Sequence, residues 1–134
     1  MNPEQSSTVV ADVKHEVQGT ILIAYMVGRA GINVLMDYVM NHFDIWAAHD
    51  RLIYDLSAWN VGSLTSDSLR HLPDSFEPLI AVRERTWVAL VITPHLEELA
   101  KILVAIYETE GVPVELTYFF DRASAESWLL EVKS

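Results

Sequence analysis

Apolar and polar positions change period several times along this chain, and each change marks an element. Residues 9–17, VVADVKHEV, alternate as an exposed edge strand does, whereas residues 20–27, TILIAYMV, are almost wholly apolar, as in a buried strand. Gln18-Gly19 between them suits a turn, so 9–27 reads as an antiparallel hairpin that Gly28 and Gly31 bring to an end. From Ile32 to about Ala48 the apolar positions Leu35, Tyr38, Val39, His42, Phe43 and Trp46 recur at helical spacing. RLIYDLS (51–57) is the next strand, and over 65–82 a helical stripe of Leu69, Leu72, Phe76, Leu79 and Ile80 is interrupted by Pro73 and Pro78, which predicts two short helical pieces.

The second half is more regular. RTWVALVIT (85–93) is a continuous apolar strand of the kind covered on both faces. A helix start follows: Thr93 as cap, Pro94 at the first helical position, Glu97 and Glu98 against the positive end of the helix dipole. Leu96, Leu99, Ala100, Leu103, Ile106 and Tyr107 form its buried stripe and Gly111 its stop; Ile102 and Ala105 lie off the stripe, as pocket wall, dimer seam or ordinary exposed positions. VPVELTYFF (112–120) is a strand, and Asp121 caps a last helix with Ala125, Trp128, Leu129 and Val132 facing inward.

The order β-β-α-β-α-β-α-β-α, without internal repeat, implies one α/β domain over 9–134. Its expected architecture is a mixed sheet, an N-terminal hairpin followed by right-handed parallel β-α crossovers, packed with about four helices. Residues 1–8 are polar and expected to be disordered.

Composition narrows the function classes. A chain of 134 residues builds a core without staples, and with no cysteine it has neither a disulfide framework nor a thiolate site. The longest apolar runs, 21–27 and 87–92, are strand-length, so no membrane span is expected, and MNPEQSSTVV lacks the basic-then-apolar order of a signal peptide. A cytoplasmic protein is the expectation. Nineteen acidic against nine basic residues give a formal charge of -10, which repels nucleic acid and anionic lipid.

Catalytic chemistry is sparse. The histidines 15, 42, 49, 71 and 95 include no pair at metal-ligand spacing, and no P-loop, GxSxG or GxGxxG occurs; GRAG at 28–31 is too short for a phosphate loop. His95 with Glu98 opens a helix after a strand, and Asp55 stands in a strand without a sequence partner, so neither makes an acid-base set. Arg83, Glu84 and Arg85 read as a solvated turn. No metal, no cofactor and no enzymatic activity are expected.

LIYDLSAWNVGSLT and ELTYFFDRASAESWLLEV, in this element order, resemble the STAS superfamily (sulfate transporter and anti-sigma factor antagonist domains) over roughly residues 9–132. Within it the chain is similar to stand-alone bacterial SpoIIAA-like proteins, whose last helix carries the Ala-x-x-Trp-Leu pattern that Ala125, Trp128 and Leu129 match. The anti-sigma antagonists place an Asp-Ser-Ser-Gly-Leu motif after this third strand, and a partner kinase phosphorylates one of its serines. Laid on this chain, the motif's Asp falls on Gly62, its phosphorylated Ser on Ser63, the next Ser on Leu64 and its Gly on Thr65, so the serine alone matches. Ser63 is therefore the phospho-acceptor candidate, with an ordinary turn or helix cap as the commoner explanation of Ser63, Thr65 or Ser66.

The resemblance implies a non-catalytic regulatory or protein-interaction domain whose partner is another protein, such as a kinase-like anti-sigma factor, or a second copy of the chain. Stand-alone SpoIIAA-like proteins also resemble lipid carriers of the CRAL-TRIO kind, which implies the alternative of a lipophilic small molecule held in an apolar pocket; Trp46, Phe76, Ile102, Val104 and Tyr107 serve either that pocket or simply the core. For ligand or partner contact the candidates are Trp59 and Asn60 after the third strand, with Thr93 and His95 after the fourth, because loops at the carboxyl edge of a parallel sheet collect binding function.

Overall fold

The computed structural model describes residues 12–29, 32–60 and 84–132, together with the isolated positions 70, 78 and 81. Five strands form one mixed sheet in the order β1-β2-β3-β4-β5. β1 (Asp12–Gln18) runs antiparallel to β2 (Ile21–Arg29), and β3 (Arg51–Asn60), β4 (Thr86–Val91) and β5 (Val114–Phe119) follow in parallel. The helices among the described residues are α1 (Ile32–Asn41), α2 (Phe43–Ala47), α3 (Glu97–Glu110), preceded by a 3-10 turn over Pro94–Leu96, and α4 (Arg122–Glu131). The expected mixed sheet with a hairpin and parallel crossovers is the observed one. Of the two helical pieces expected over 65–82, all but Arg70 and Pro78, both helical, and Ala81, in a turn, lie outside the described residues.

Alternation along β2 explains its almost unbroken hydrophobicity. Leu22, Ala24 and Met26 point to the side of α1, α2 and α3, where they join Val13, Leu35, Val39, Trp46, Leu52, Val88, Leu90 and Ala100. Ile21 and Ile23 point to the other side and pack with Ile53, Trp87, Ala89 and Val91 beneath Ala125 and Leu129 of α4. β4 is covered on both faces and all six of its residues are buried, as its continuous apolar run requires.

Several boundaries differ from the sequence expectation, each for a local reason. The hairpin turns at Gly19-Thr20 rather than Gln18-Gly19, because Gly19 takes the left-handed φ of 62° that side chains disfavour. β2 continues through Gly28 to Arg29, paired with an equally extended β3. The single helix expected over 32–48 is broken at His42, whose φ of -120° leaves the helical region. There the imidazole Nδ1 donates to the Tyr38 carbonyl at 2.8 Å, and the ring stacks on Tyr38 at 4.2 Å.

β3 is three residues longer than expected and carries a bulge. Two steps along β2, from Tyr25 to Val27, face three along β3, from Asp55 to Ala58. Asp55 Oδ1 holds the bulge by accepting from the Ser57 amide at 3.1 Å and the Ser57 hydroxyl at 2.6 Å. The extra residue reverses side-chain parity, so Trp59 joins Leu52, Tyr54 and Leu56 on the helix-rich face instead of opposing them. At the start of α3, Thr93 makes no side-chain cap, and the first turn is 3-10. The expected ends of α3 and α4 hold: Gly111 closes α3 at a φ of 67°, and Asp121 accepts from the Ser124 amide at 2.7 Å to cap α4.

Candidate functional site

The parallel strands bring their carboxyl ends to one edge of the sheet, but not level with one another. Asp55 is the last β3 residue paired with β4, opposite Val91, while β3 runs on beside β2 to Asn60. Asn60 therefore stands roughly 7 Å further along than Thr93, on a two-stranded arm. Among the sequence candidates, Thr93 and His95 are brought together, and Asn60 is exposed on the arm. Trp59 does not lie in a loop after the strand: it is inside β3 and only 6% exposed. Its reading as contact surface is corrected by the bulge, which turns the indole into the core. Ser63 lies outside the described residues.

Thr93 Oγ1 and His95 Nδ1 share a hydrogen bond of 2.6 Å at the mouth of the 3-10 turn, where the Leu96 amide donates to the Thr93 carbonyl at 2.9 Å. The hydroxyl thus orients the imidazole instead of capping the helix. With Nδ1 engaged, Nε2 is the nitrogen left to meet a partner. Beside this pair, the Tyr118 hydroxyl donates to Glu97 Oε2 at 2.9 Å, and Lys101 Nζ lies 4.0 Å from the same oxygen. That hydrogen bond, made by the protonated phenol, holds the Tyr118 pKa above its ordinary value. Phe120 follows, half exposed, its ring edge-on to Tyr118 at 5.9 Å.

This arrangement offers hydrogen-bonding groups and an aromatic anchor. It does not assemble a nucleophile, a base and an orienting acid among the described residues, and no group of three metal-ligating side chains occurs among them. Asp55, the one strand carboxylate considered for acid-base work, is engaged by the bulge. No helix among the described residues is long and apolar enough to cross a membrane.

Two further clusters were not visible in the sequence. On the helix-rich face, the His15 Nδ1 and the Tyr38 hydroxyl meet at 2.7 Å, the His15 ring lies 5.2 Å from His42 and 5.5 Å from Trp46, and Trp46 Nε1 donates to the Tyr54 hydroxyl at 3.0 Å. Tyr38, His42 and Trp46 at four-residue spacing were a readable signal for one helix face. Nothing in the sequence paired that face with His15 on β1. On the opposite face, Tyr25 donates to Glu16 Oε1 at 2.6 Å and accepts from Arg122, which also bonds Glu126 Oε2 at 2.8 Å. The Tyr25 and Gln18 hydrogen bonds hold the Glu16 carboxyl below its ordinary pKa, while burial and then the bond to Glu16 raise Tyr25.

No protein-family model matches this chain and no curated protein matches it. Solved structures do. An anti-sigma factor antagonist from Mycobacterium paratuberculosis superposes with a TM-score of 0.63 at 15% identity, over 91% of this chain and 96% of its own. An uncharacterized protein of the DUF3478 family with a SpoIIAA-like fold, from Shewanella loihica PV-4, gives 0.60 at 17% identity over 92% and 98%. The fold is SpoIIAA-like, the two likenesses covering 91% and 92% of the chain. The lipophilic-carrier alternative gains no support from these likenesses.

Proposed function

We propose that the chain is a non-catalytic STAS-like regulatory domain that works by binding another protein at the carboxyl edge of its sheet. The observation that carries this reading is the fold likeness to an anti-sigma factor antagonist over 91% of the chain. The hydrogen-bonded Thr93–His95 pair supports it, because it presents an oriented imidazole at the edge where α/β folds place their ligands. Asn60, exposed at the end of β3, belongs to the same proposed surface. In this reading Ser63, three residues after Asn60 in the sequence, is the modifiable position: phosphorylation would add about two negative charges there and so release the partner.

The test begins with affinity capture from the source cells and ends with purified components. Binding of the captured protein to the wild type is compared by calorimetry with binding to His95→Ala and Ser63→Asp. Each variant is expected to lose roughly tenfold or more in affinity, the size of one to two lost hydrogen bonds at an interface. Unchanged affinity in both would refute the proposed edge.

A further inference from the structure

β5 borders the sheet with an open flank. Among the described residues it pairs with β4 alone, and none of its six residues is buried, whereas all six of β4 are. The direction of its free groups follows from the ladder. Thr86 donates to the Pro113 carbonyl and Ile92 to the Phe119 carbonyl, so the odd-numbered residues of β5 face β4. The N–H and C=O groups of Leu116 and Tyr118 therefore point outward. An exposed aromatic ring stands at one end of this flank and a mainly polar cleft at the other, roughly 20 Å apart. Phe120 projects at the carboxyl end, 50% exposed. At the amino end a cleft of about 510 Å³ opens between α3 and β5, where Val104, Tyr107 and Val114 are joined by Arg85, Glu108 and Glu115, so that its lining is mainly polar.

Charge decides what could lie there. The elements bounding the flank carry Glu97, Glu98, Glu108, Glu110, Glu115 and Asp121 against Lys101 and Arg85. Both cations are already matched, Arg85 to Glu115 at 3.1 Å and Lys101 to Glu97 at 4.0 Å. A second copy of the chain would bring its own formal charge of -10 against this rim, a like-charge encounter. An extended basic segment would meet complementary charge, unpaired main chain, the exposed ring of Phe120 and, in the cleft, the carboxylates of Glu108 and Glu115.

The geometry points to β5 as a strand-addition site for an extended, lysine- or arginine-bearing segment of a partner protein, added edge to edge with an apolar side chain against Phe120 and a basic one in the α3–β5 cleft beside Glu108 and Glu115. Main-chain hydrogen bonds to Leu116 and Tyr118 supply affinity, and the acidic rim selects the partner. This goes beyond the carboxyl-edge reading and does not rest on Thr93, His95 or Ser63.

The probe is a blocked peptide of about eight residues alternating valine and lysine, long enough to span the flank. It is titrated into isotope-labelled full-length protein, with a valine–glutamate peptide of equal length and a copy of the lysine peptide N-methylated at alternate amides as comparisons. The lysine peptide is expected to slow amide exchange at Leu116 and Tyr118 at least tenfold. Its binding should weaken roughly tenfold between about 50 and about 500 mM salt, and weaken again in Phe120→Ala. The N-methylated copy should not bind. His95→Ala and Ser63→Asp should bind the lysine peptide as the wild type does, which separates failure of this site from failure of the carboxyl-edge reading. Three results would overturn the inference: equal binding of the glutamate peptide; perturbations spread over the acidic surface without protection of Leu116 and Tyr118; or a free protein that is already dimeric with those two amides protected.

Discussion

The two edges of this sheet are built on opposite plans. β1 presents Lys14, Glu16 and Gln18 along one face, and both faces of it are tied down by polar contacts: His15 to Tyr38 on the helix-rich side, and Glu16 to Tyr25, with Arg122 beyond, on the other. β5 carries one charged residue among six, Glu115, and is followed by an exposed phenylalanine, Phe120. Edge strands are usually blunted by charge, because an unguarded edge adds further strands. One edge here follows that rule and the other departs from it. A departure at this edge, with an exposed aromatic ring at one end and an acidic cleft at the other, is what a binding flank looks like, whereas a merely tolerant edge would have no reason to pair an exposed ring with an acidic rim.

The largest way to break the contrast is to remove what anchors the guarded side. Trp46 is 2% exposed, touches His15 and bonds Tyr54, so Trp46→Ala is expected to cost about 3–5 kcal/mol in urea denaturation. Trp46→Phe, which keeps most of the ring volume and loses the indole donor, should cost about 1–2 kcal/mol. Next comes Arg122, which ties α4 to the hairpin through Tyr25 while remaining 29% exposed. Arg122→Ala should cost about 1–2 kcal/mol, after allowance for solvent screening, and Tyr25→Phe less.

Acid sharpens the same comparison. The Glu16 carboxyl is held below its ordinary value by the Tyr25 and Gln18 hydrogen bonds, and Asp121 by the Ser124 amide and then the Ser124 hydroxyl. For groups depressed in the folded state, the stability they lend is complete above the unfolded value, near ~4, and disappears as pH falls through the lower folded one. Melting temperature should therefore fall between about pH 4 and about pH 2, and less steeply in Glu16→Gln, as followed by circular dichroism. The smallest effect is expected on the open edge: Phe120→Ala should leave folding stability within about 0.5 kcal/mol of the wild type, since the ring is half exposed.

How much of this was legible in the sequence depended on whether the signal was local. The buried run of β4, the Gly111 stop and the Asp121 cap are short-range devices, and each stands where the residues placed it. Trp59 shows the opposite case. Its alternation within RLIYDLSAWN assigns it to the face away from Leu52 and Tyr54, and only pairing with β2 reveals the bulge that brings it back. Thr93 and His95 were found because a strand–Pro–helix junction is a local pattern, although the hydroxyl turned out to serve the imidazole and not the helix. Phe120 and the outward amides of Leu116 and Tyr118 became a candidate site only once β5 was known to be the last strand, a fact of sheet order that a residue pattern does not carry.

The most direct test of the contrast is residue-resolved hydrogen exchange on the free protein. If β5 is an open edge, the amides of Leu116 and Tyr118 exchange through local fluctuation, at least a hundredfold faster than those of Glu115, Thr117 and Phe119, which face β4 and open only with the sheet, on the order of that ratio or more. Uniform slow exchange along all of β5 would mean that its flank is covered, and the account of an edge left open for a partner would be wrong.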